Sequence, residues 1–242
     1  GAIRPGDALP SERDLALKVD VSRVTVRKAV QHLVNDIRAR RNHLSTGFLG
    51  TPYLCHVLSD NGQTSVAYDL LLQETFPSWL FPVKMGATTI WERWDGQKPD
   101  STFQDVGMNS FNHYAYGAVG DWMYRVVAGI EIGKPGYRQI RIQPHPDKRL
   151  QYARAAYESV YGKIASGWEI RDGKVVVNVS IPANTRAVVM LPNTDVLSVT
   201  SNGAALNGGA YKTFSNEGPN AVVEVGSGEY SFIFPFREVQ NQ

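Results

Sequence analysis

The chain has one cysteine, Cys55, in 242 residues, which excludes an internal disulfide framework. Cys55 sits in the apolar run Tyr53 to Leu58 and reads as an inert buried thiol rather than a nucleophile. No run of about 18 apolar residues is present, so no membrane span is expected. No basic-then-apolar stretch opens the chain, so no signal peptide is expected and the cytoplasm is the default compartment. The first residue is Gly1 rather than Met, and the true start is expected to lie upstream. A strong charge of one sign is also lacking: 25 Lys and Arg meet 23 Asp and Glu, a net +2. No convincing His, Cys, Asp and Glu ligand cluster stands out, and neither metal nor cofactor is expected. What remains is a globular balance, 43% hydrophobic and 10% aromatic, long enough for one large or two modest domains.

The most informative words that are present are Trp91-Glu92-Arg93-Trp94-Asp95-Gly96 and Phe111-Asn112-His113-Tyr114-Ala115-Tyr116-Gly117. They put a carboxylate between two indoles and a histidine among aromatics 21 residues later. Aromatic faces stack on the apolar face of a pyranose, polar groups bond its hydroxyls, and a carboxylate handles a proton or a water. Taken singly, Trp91 and Trp94 also suit core positions, and Glu92 suits a surface or an ion pair.

Three stretches differ in pattern. In residues 1–33, Pro5-Gly6-Asp7 is turn chemistry, and Ser11 with Asp14 resembles a helix start. Ser22 can cap a second helix with Val26, Ala29, Val30 and Leu33 on one face. Residues 34–135 read as mostly helical. One helix is expected over Tyr53–Glu74, interrupted near Ser59–Gly62. Another is expected over Asn109–Ile130, with an apolar stripe of Tyr116, Val119, Met123, Val126, Val127 and Ile130. The loop between them carries Trp91, Glu92 and Trp94. Residues 136–242 alternate as strands at Tyr137–Pro144, Lys174–Pro182, Arg186–Pro192, Ala221–Val225 and Glu229–Phe234. Asp172-Gly173, Asn202-Gly203 and Asn207-Gly208 are hairpin signals, and the pattern suggests an antiparallel β-sandwich. Tyr157, Tyr161 and Trp168 are weaker sugar-binding candidates there. The expected class is α+β and multidomain.

The words His43-Leu44-Ser45-Thr46-Gly47-Phe48-Leu49-Gly50-Thr51-Pro52-Tyr53-Leu54, Tyr68 to Glu74, Phe76-Pro77-Ser78-Trp79-Leu80, Gly86 to Gly96 and Met108 to Gly117 follow one another in order. Together they resemble the C-terminal part of a bacterial α-L-rhamnosidase, from about Leu33 to Phe236. The resemblance implies the closing helices of an (α/α)6 barrel followed by a C-terminal sandwich. It implies a rhamnose-containing glycoside as substrate and hydrolysis with inversion. Such a pair of carboxyls stands about 6.5–9.5 Å apart to admit a water. By resemblance Glu92 is the general base, His113 binds rhamnose hydroxyls, and Trp91 and Trp94 shape the pocket. The family's general acid comes from a motif far upstream that this chain does not contain. The resemblance therefore implies weak or no activity by the chain alone, and an open half-barrel that invites self-association.

Arg4-Pro5-Gly6-Asp7, Leu9 to Ala16 and Val21 to Ala29 instead resemble the helix-turn-helix of GntR-type regulators. That resemblance implies phosphate or base contacts by Arg13, Ser22, Arg23, Thr25 and Arg27. It departs from the family where a β-hairpin wing should follow Leu33 and where a first helix should precede Pro5. Residues 1–41 hold nine Lys or Arg against five Asp or Glu, a basic end that suits DNA. Three functions stay open at this point: a rhamnosidase, a sugar-responsive regulator, and a chimera joined near Leu33 without an evolved function.

Overall fold

Ser22 is extended, and its hydroxyl accepts the Thr25 N–H at 3.2 Å. That cap starts α1, Arg23–Ala39. The computed structural model describes residues 22–206, 211 and 213–237, the side chain of Arg23 excepted. The expected first helix of a helix-turn-helix, with Arg13, lies outside the described residues. The buried stripe of α1 is Val26, Val30, Val34 and Ile37, whereas Ala29 is exposed and Leu33 is half-buried. The helix therefore runs straight through position 33, where the sequence suggested a seam and a wing. Steps of four, four and three residues keep those side chains on one face. Arg41 and Asn42, both at positive φ, follow the helix end.

The chain divides into two units, the first ending at Gly120 and the second beginning at Asp121. That division lies ahead of the 135/136 boundary drawn from the sequence. In the first unit, α2 (Thr51–Asp60) and α3 (Thr64–Leu71) are separated at Asn61 and Gly62, matching the expected interruption. Leu54, Cys55 and Leu58 on α2, and Val66, Ala67, Tyr68, Leu70 and Leu71 on α3, are buried. Burial pushes the Cys55 thiol up to about 12, so it stays protonated and unreactive. A short α4, Leu80–Lys84, follows.

The expected helix over Asn109–Ile130 does not form as one element. Asn109–Tyr114 is irregular. A 3-10 turn (Ala115–Ala118), one α-turn (Val119–Trp122) and a π-turn (Met123–Val127) follow. Of the expected stripe, Tyr116, Val126, Val127 and Ile130 are buried, but Met123 is 43% exposed. Gly129 ends the helical stretch at φ 80, and a Cβ there would lie 2.2 Å from the backbone nitrogen of Pro144. Only glycine fits that approach, and it releases Ile130 into a strand.

The second unit holds two sheets. Its strands are β1 (Ile130–Ile132), β2 (Gln139–Ile142), β3 (Tyr152–Ser159), β4 (Gly162–Arg171), β5 (Lys174–Ile181), β6 (Arg186–Leu191), β7 (Thr200–Ser201), β8 (Ala204–Ala205), β9 (Phe214–Glu217), β10 (Asn220–Val225) and β11 (Gly228–Pro235). The orders are β1-β2-β6-β10-β9 and β3-β4-β5-β11-β7-β8. All pairs are antiparallel except β2 with β6, which run parallel, so the sandwich is mixed at one place. Alternate residues of β5 (Val175, Val177, Val179, Ile181) and β6 (Ala187, Val189, Leu191) are buried, the period-2 signal of a one-sided sheet. Asp172-Gly173 and Asn202-Gly203 make the β4–β5 and β7–β8 turns with positive φ at both residues. Asn207-Gly208 lies outside the described residues.

β3 and β4 escaped the sequence pattern. β3 is an edge strand with most residues exposed, and β4 opens on Gly162 and carries Gly167 within it. Trp168 on β4 is 1% exposed and donates its indole N–H to the Val127 carbonyl at 2.7 Å. It is a core residue and not a sugar platform, because its faces are packed and its one donor is used. Tyr157 and Tyr161 remain exposed. Among the described residues no helix is long and apolar enough to cross a membrane.

His145 keeps some exposed surface, but protein packed around its ring pushes its pKa below the ordinary value of 6.5. Hydrogen bonds to the Val126 and Gln143 backbone oppose that shift without cancelling it. A depressed histidine favours the neutral form when folded. Its contribution to stability is therefore complete above about pH 6.5 and is lost as pH falls towards the folded value. Asp147 and Asp95 are held below the ordinary carboxylate value of 3.8, so their contributions vanish only in stronger acid. Thermal unfolding should shift to lower temperature between pH 7 and pH 5, and His145→Gln should flatten that dependence. An unchanged pH slope in the variant would refute the assignment.

Candidate active site

The Gly86–Gly96 and Asn109–Tyr116 segments have little regular structure, so cross-links hold them. The Glu92 N–H donates to Ser110 O at 2.8 Å, and the His113 N–H donates to Ile90 O at 2.8 Å. Two separate stretches thus lie antiparallel, with Glu92 opposite Ser110 at one end of the pairing and His113 opposite Ile90 at the other. Thr89 hydroxyl bonds Phe111 O, and Asn109 Nδ2 donates to Gly96 O at 3.0 Å. Glu92 is half-buried, and its Oε2 accepts the Ser110 N–H at 2.8 Å. Among the described residues Oε1 has no hydrogen-bond partner. A carboxylate fixed by one oxygen presents the other to a water at a set angle.

His113 is half-buried, and its Nδ1 accepts the Ala115 N–H at 3.3 Å. In a neutral imidazole that acceptor role places the proton on Nε2, where it can be donated to a hydroxyl. Phe48 and Tyr114 flank the ring nearly parallel to it, at centroid distances of 4.9 and 5.1 Å.

The tryptophans brace this arrangement. Trp91 is 6% exposed and meets Phe111 edge-on at 5.2 Å, anchoring the loop from beneath. Trp94 stacks on Tyr116 at 3.7 Å and meets Trp79 edge-on at 5.7 Å. Its indole N–H reaches Thr46 O at 3.0 Å, while the Trp79 N–H reaches Tyr116 O at 2.9 Å. Burial of Tyr116 raises its phenol, with Arg93 opposing and Asp95 adding to the effect. For Asp95, burial acts upward, but hydrogen bonds from Gln104 and Arg93 and the Arg93 charge outweigh it. Its carboxyl is held below the usual range, stays ionised near neutrality, and has no proton to give a leaving group.

Glu92 and His113 lie on two segments that the backbone pairing joins; Trp91 packs edge-on against Phe111, and Trp94 spends its indole N–H on Thr46. Ser110 and Phe48 were passed over in reading the sequence for function, although both lie inside the quoted words. Of the DNA-contact residues, Ser22 and Thr25 bond each other at the helix start. Arg27 is exposed. Arg13 and the Arg23 side chain lie outside the described residues. Among the described residues no group of three or more His, Cys, Asp or Glu could hold a metal ion.

Residues 10–127 match the family described as the bacterial α-L-rhamnosidase six-hairpin glycosidase domain, and residues 129–205 match the bacterial α-L-rhamnosidase C-terminal domain. An α-L-rhamnosidase of Streptomyces avermitilis is 47% identical over 222 residues, covering 90% of this chain and 21% of that protein. One of Formosa agariphila is 40% identical over 235 residues, 96% of this chain and 25% of that protein. The crystal structure of the Streptomyces enzyme complexed with L-rhamnose superposes with a TM-score of 0.81 over 88% of this chain and 20% of that one. The α-L-rhamnosidase structure from Dictyoglumus thermophilum does so with a TM-score of 0.74 and 34% identity, over 86% of this chain and 23% of that one.

A helical six-hairpin glycosidase domain followed by a C-terminal domain of β-sheets defines a glycosidase of the six-hairpin class. The chain belongs to the bacterial α-L-rhamnosidases, as the C-terminal part of that fold. It spans about a fifth to a quarter of the length of these relatives. The first match begins at residue 10, so it takes in most of the stretch that resembles a helix-turn-helix.

Nitrogen-15 NMR of His113 near neutral pH should show an unprotonated Nδ1 and a protonated Nε2. The opposite tautomer would remove Nε2–H as a hydroxyl donor.

Proposed function

We propose that this chain supplies the base-bearing part of an α-L-rhamnosidase site, hydrolysing terminal α-L-rhamnosides with inversion. The observation that carries the reading is the antiparallel pairing of Ile90–Glu92 with Ser110–His113, which ties the segment of a pinned carboxylate to the segment of a histidine whose Nδ1 is an acceptor. Glu92 takes a proton from water as the water attacks the anomeric carbon, and the glycosidic oxygen leaves on the opposite face. His113 orients the sugar through Nε2–H, and Trp91 and Trp94 hold the loop that carries Glu92. That a relative was solved with L-rhamnose supports rhamnose as the recognised sugar. Asp95 is unsuited to protonate the leaving oxygen, and we assign the acid, as the family resemblance implies, to residues outside this chain.

A base without its acid has a distinctive substrate profile. An aryl rhamnoside whose phenolate leaves without protonation should be turned over, and methyl α-L-rhamnoside should not. Glu92→Gln should lower the aryl rate by on the order of 10²–10⁴-fold, and the first product seen by NMR should be the inverted anomer. Equal rates for the chain and the Glu92→Gln protein would sink this reading.

A second reading, DNA binding through the basic N-terminal portion, draws on one observation: Thr25, Arg27 and Lys28 are exposed on the first turns of α1. It requires duplex affinity that falls steeply with salt and weakens in Arg27→Ala. Salt-independent retention, or none, would eliminate it.

A further inference from the structure

We infer that Phe48 is a positioning residue for His113, tied to the Glu92 loop through Thr46 and Trp94; this rests on the rhamnosidase reading of the site. His113 sits on an irregular segment, and among the described residues its one side-chain hydrogen bond, from the Ala115 N–H, is long at 3.3 Å. One such bond is a weak restraint on rotation of an imidazole about its last side-chain torsion. Stacking supplies a stronger one. The Phe48 ring lies 13° from parallel to the imidazole at 4.9 Å, and the Tyr114 ring 12° from parallel at 5.1 Å. Rotation of the imidazole would break both contacts at once and turn Nε2–H away.

Phe48 is itself held. His43 bonds Thr75 at 2.7 Å and the Leu44 N–H reaches Pro77 O at 3.0 Å, fixing the entry to its segment. The hydroxyls of Thr46 and Thr51 bond at 2.8 Å, fixing the exit at the start of α2. Between these points Thr46 O receives the Trp94 indole N–H at 3.0 Å. The residue that carries the Phe48 segment is thereby bonded to the segment that carries Glu92. Base and sugar-binding histidine are registered twice: by the backbone pairing of 90–92 with 110–113, and by Trp94 through Thr46 and Phe48. Core filling alone explains Phe48 poorly, because it is 43% exposed while Leu49 beside it is 91% exposed. Its ring lies face-on against the histidine and meets the buried Tyr116 only at a tilt, at 5.5 Å.

The experiment compares the whole chain with Phe48→Leu, Phe48→Tyr and His113→Ala. His113 ring resonances are followed by NMR, and L-rhamnose is the titrant. Phe48→Leu should move the His113 ring-proton signals out of their ring-current positions and weaken L-rhamnose binding by about three- to ten-fold, the range of an aromatic pair. Phe48→Tyr should restore both, and the unfolding temperature should change little. Unmoved His113 signals in Phe48→Leu overturn the inference whether or not sugar binds. Moved signals with unchanged rhamnose affinity overturn it too, because the ring angle then has no bearing on the sugar. No rhamnose binding by the unaltered chain overturns the rhamnosidase reading, while the His113 signals still report on the stacking by themselves.

Discussion

Two backbone hydrogen bonds, Glu92 to Ser110 and His113 to Ile90, are what the candidate site depends on. The segments they join are loops, with no helix or strand of their own to fix them. Ordering loop residues costs on the order of 1–2 kcal/mol each in backbone entropy. Two bonds do not offset that cost alone, so the surrounding aromatics and side-chain bonds share the task. Trp91 anchors the loop from below, Trp94 clamps it against Tyr116, and Asn109 and Thr89 lace its strands together. Helix α2 packs against both α3 and the Ala115–Ala118 turn in which this lacing ends.

The same indole groups thus do different work from that of sugar platforms. Buried Trp N–H groups need acceptors, and each of Trp79, Trp94 and Trp168 finds a backbone carbonyl. Each bond joins stretches that are remote in sequence, 37 to 48 residues apart. An indole can brace because it combines a large apolar surface with one directional donor. In the proposed reading the polar chemistry is left to Glu92 and His113, whose edges open among the described residues are Oε1 and Nε2.

Legibility in the sequence tracked locality. The break between α2 and α3, the Asp172-Gly173 and Asn202-Gly203 hairpins, and the alternation in β5 and β6 are set by residues a few positions apart. All were readable. The long helix over Asn109–Ile130 was not, because residues 110–113 bond the backbone of residues 90–92 and Gly129 must pass the Pro144 backbone, contacts the local pattern does not contain. β3 was missed because an edge strand has little inward face to alternate. The buried face of α1 was misplaced towards Ala29 and Leu33 because the helix runs on to Val34 and Ile37. Of the site, Glu92 and His113 were legible as residue types in a family word. Ser110 and Phe48 were not, since nothing in a serine or phenylalanine announces that its backbone or ring will hold another residue.

By itself the sequence determined the locally encoded elements, the family, and the candidate carriers of charge and proton. These follow from spacing and residue chemistry, which are local. Only the tertiary structure decided which residues hold those carriers in place, which tryptophans are braces, and that β2 runs parallel to β6. Those outcomes depend on contacts between distant segments, and the energy of such contacts is spread over many small terms with no sequence period.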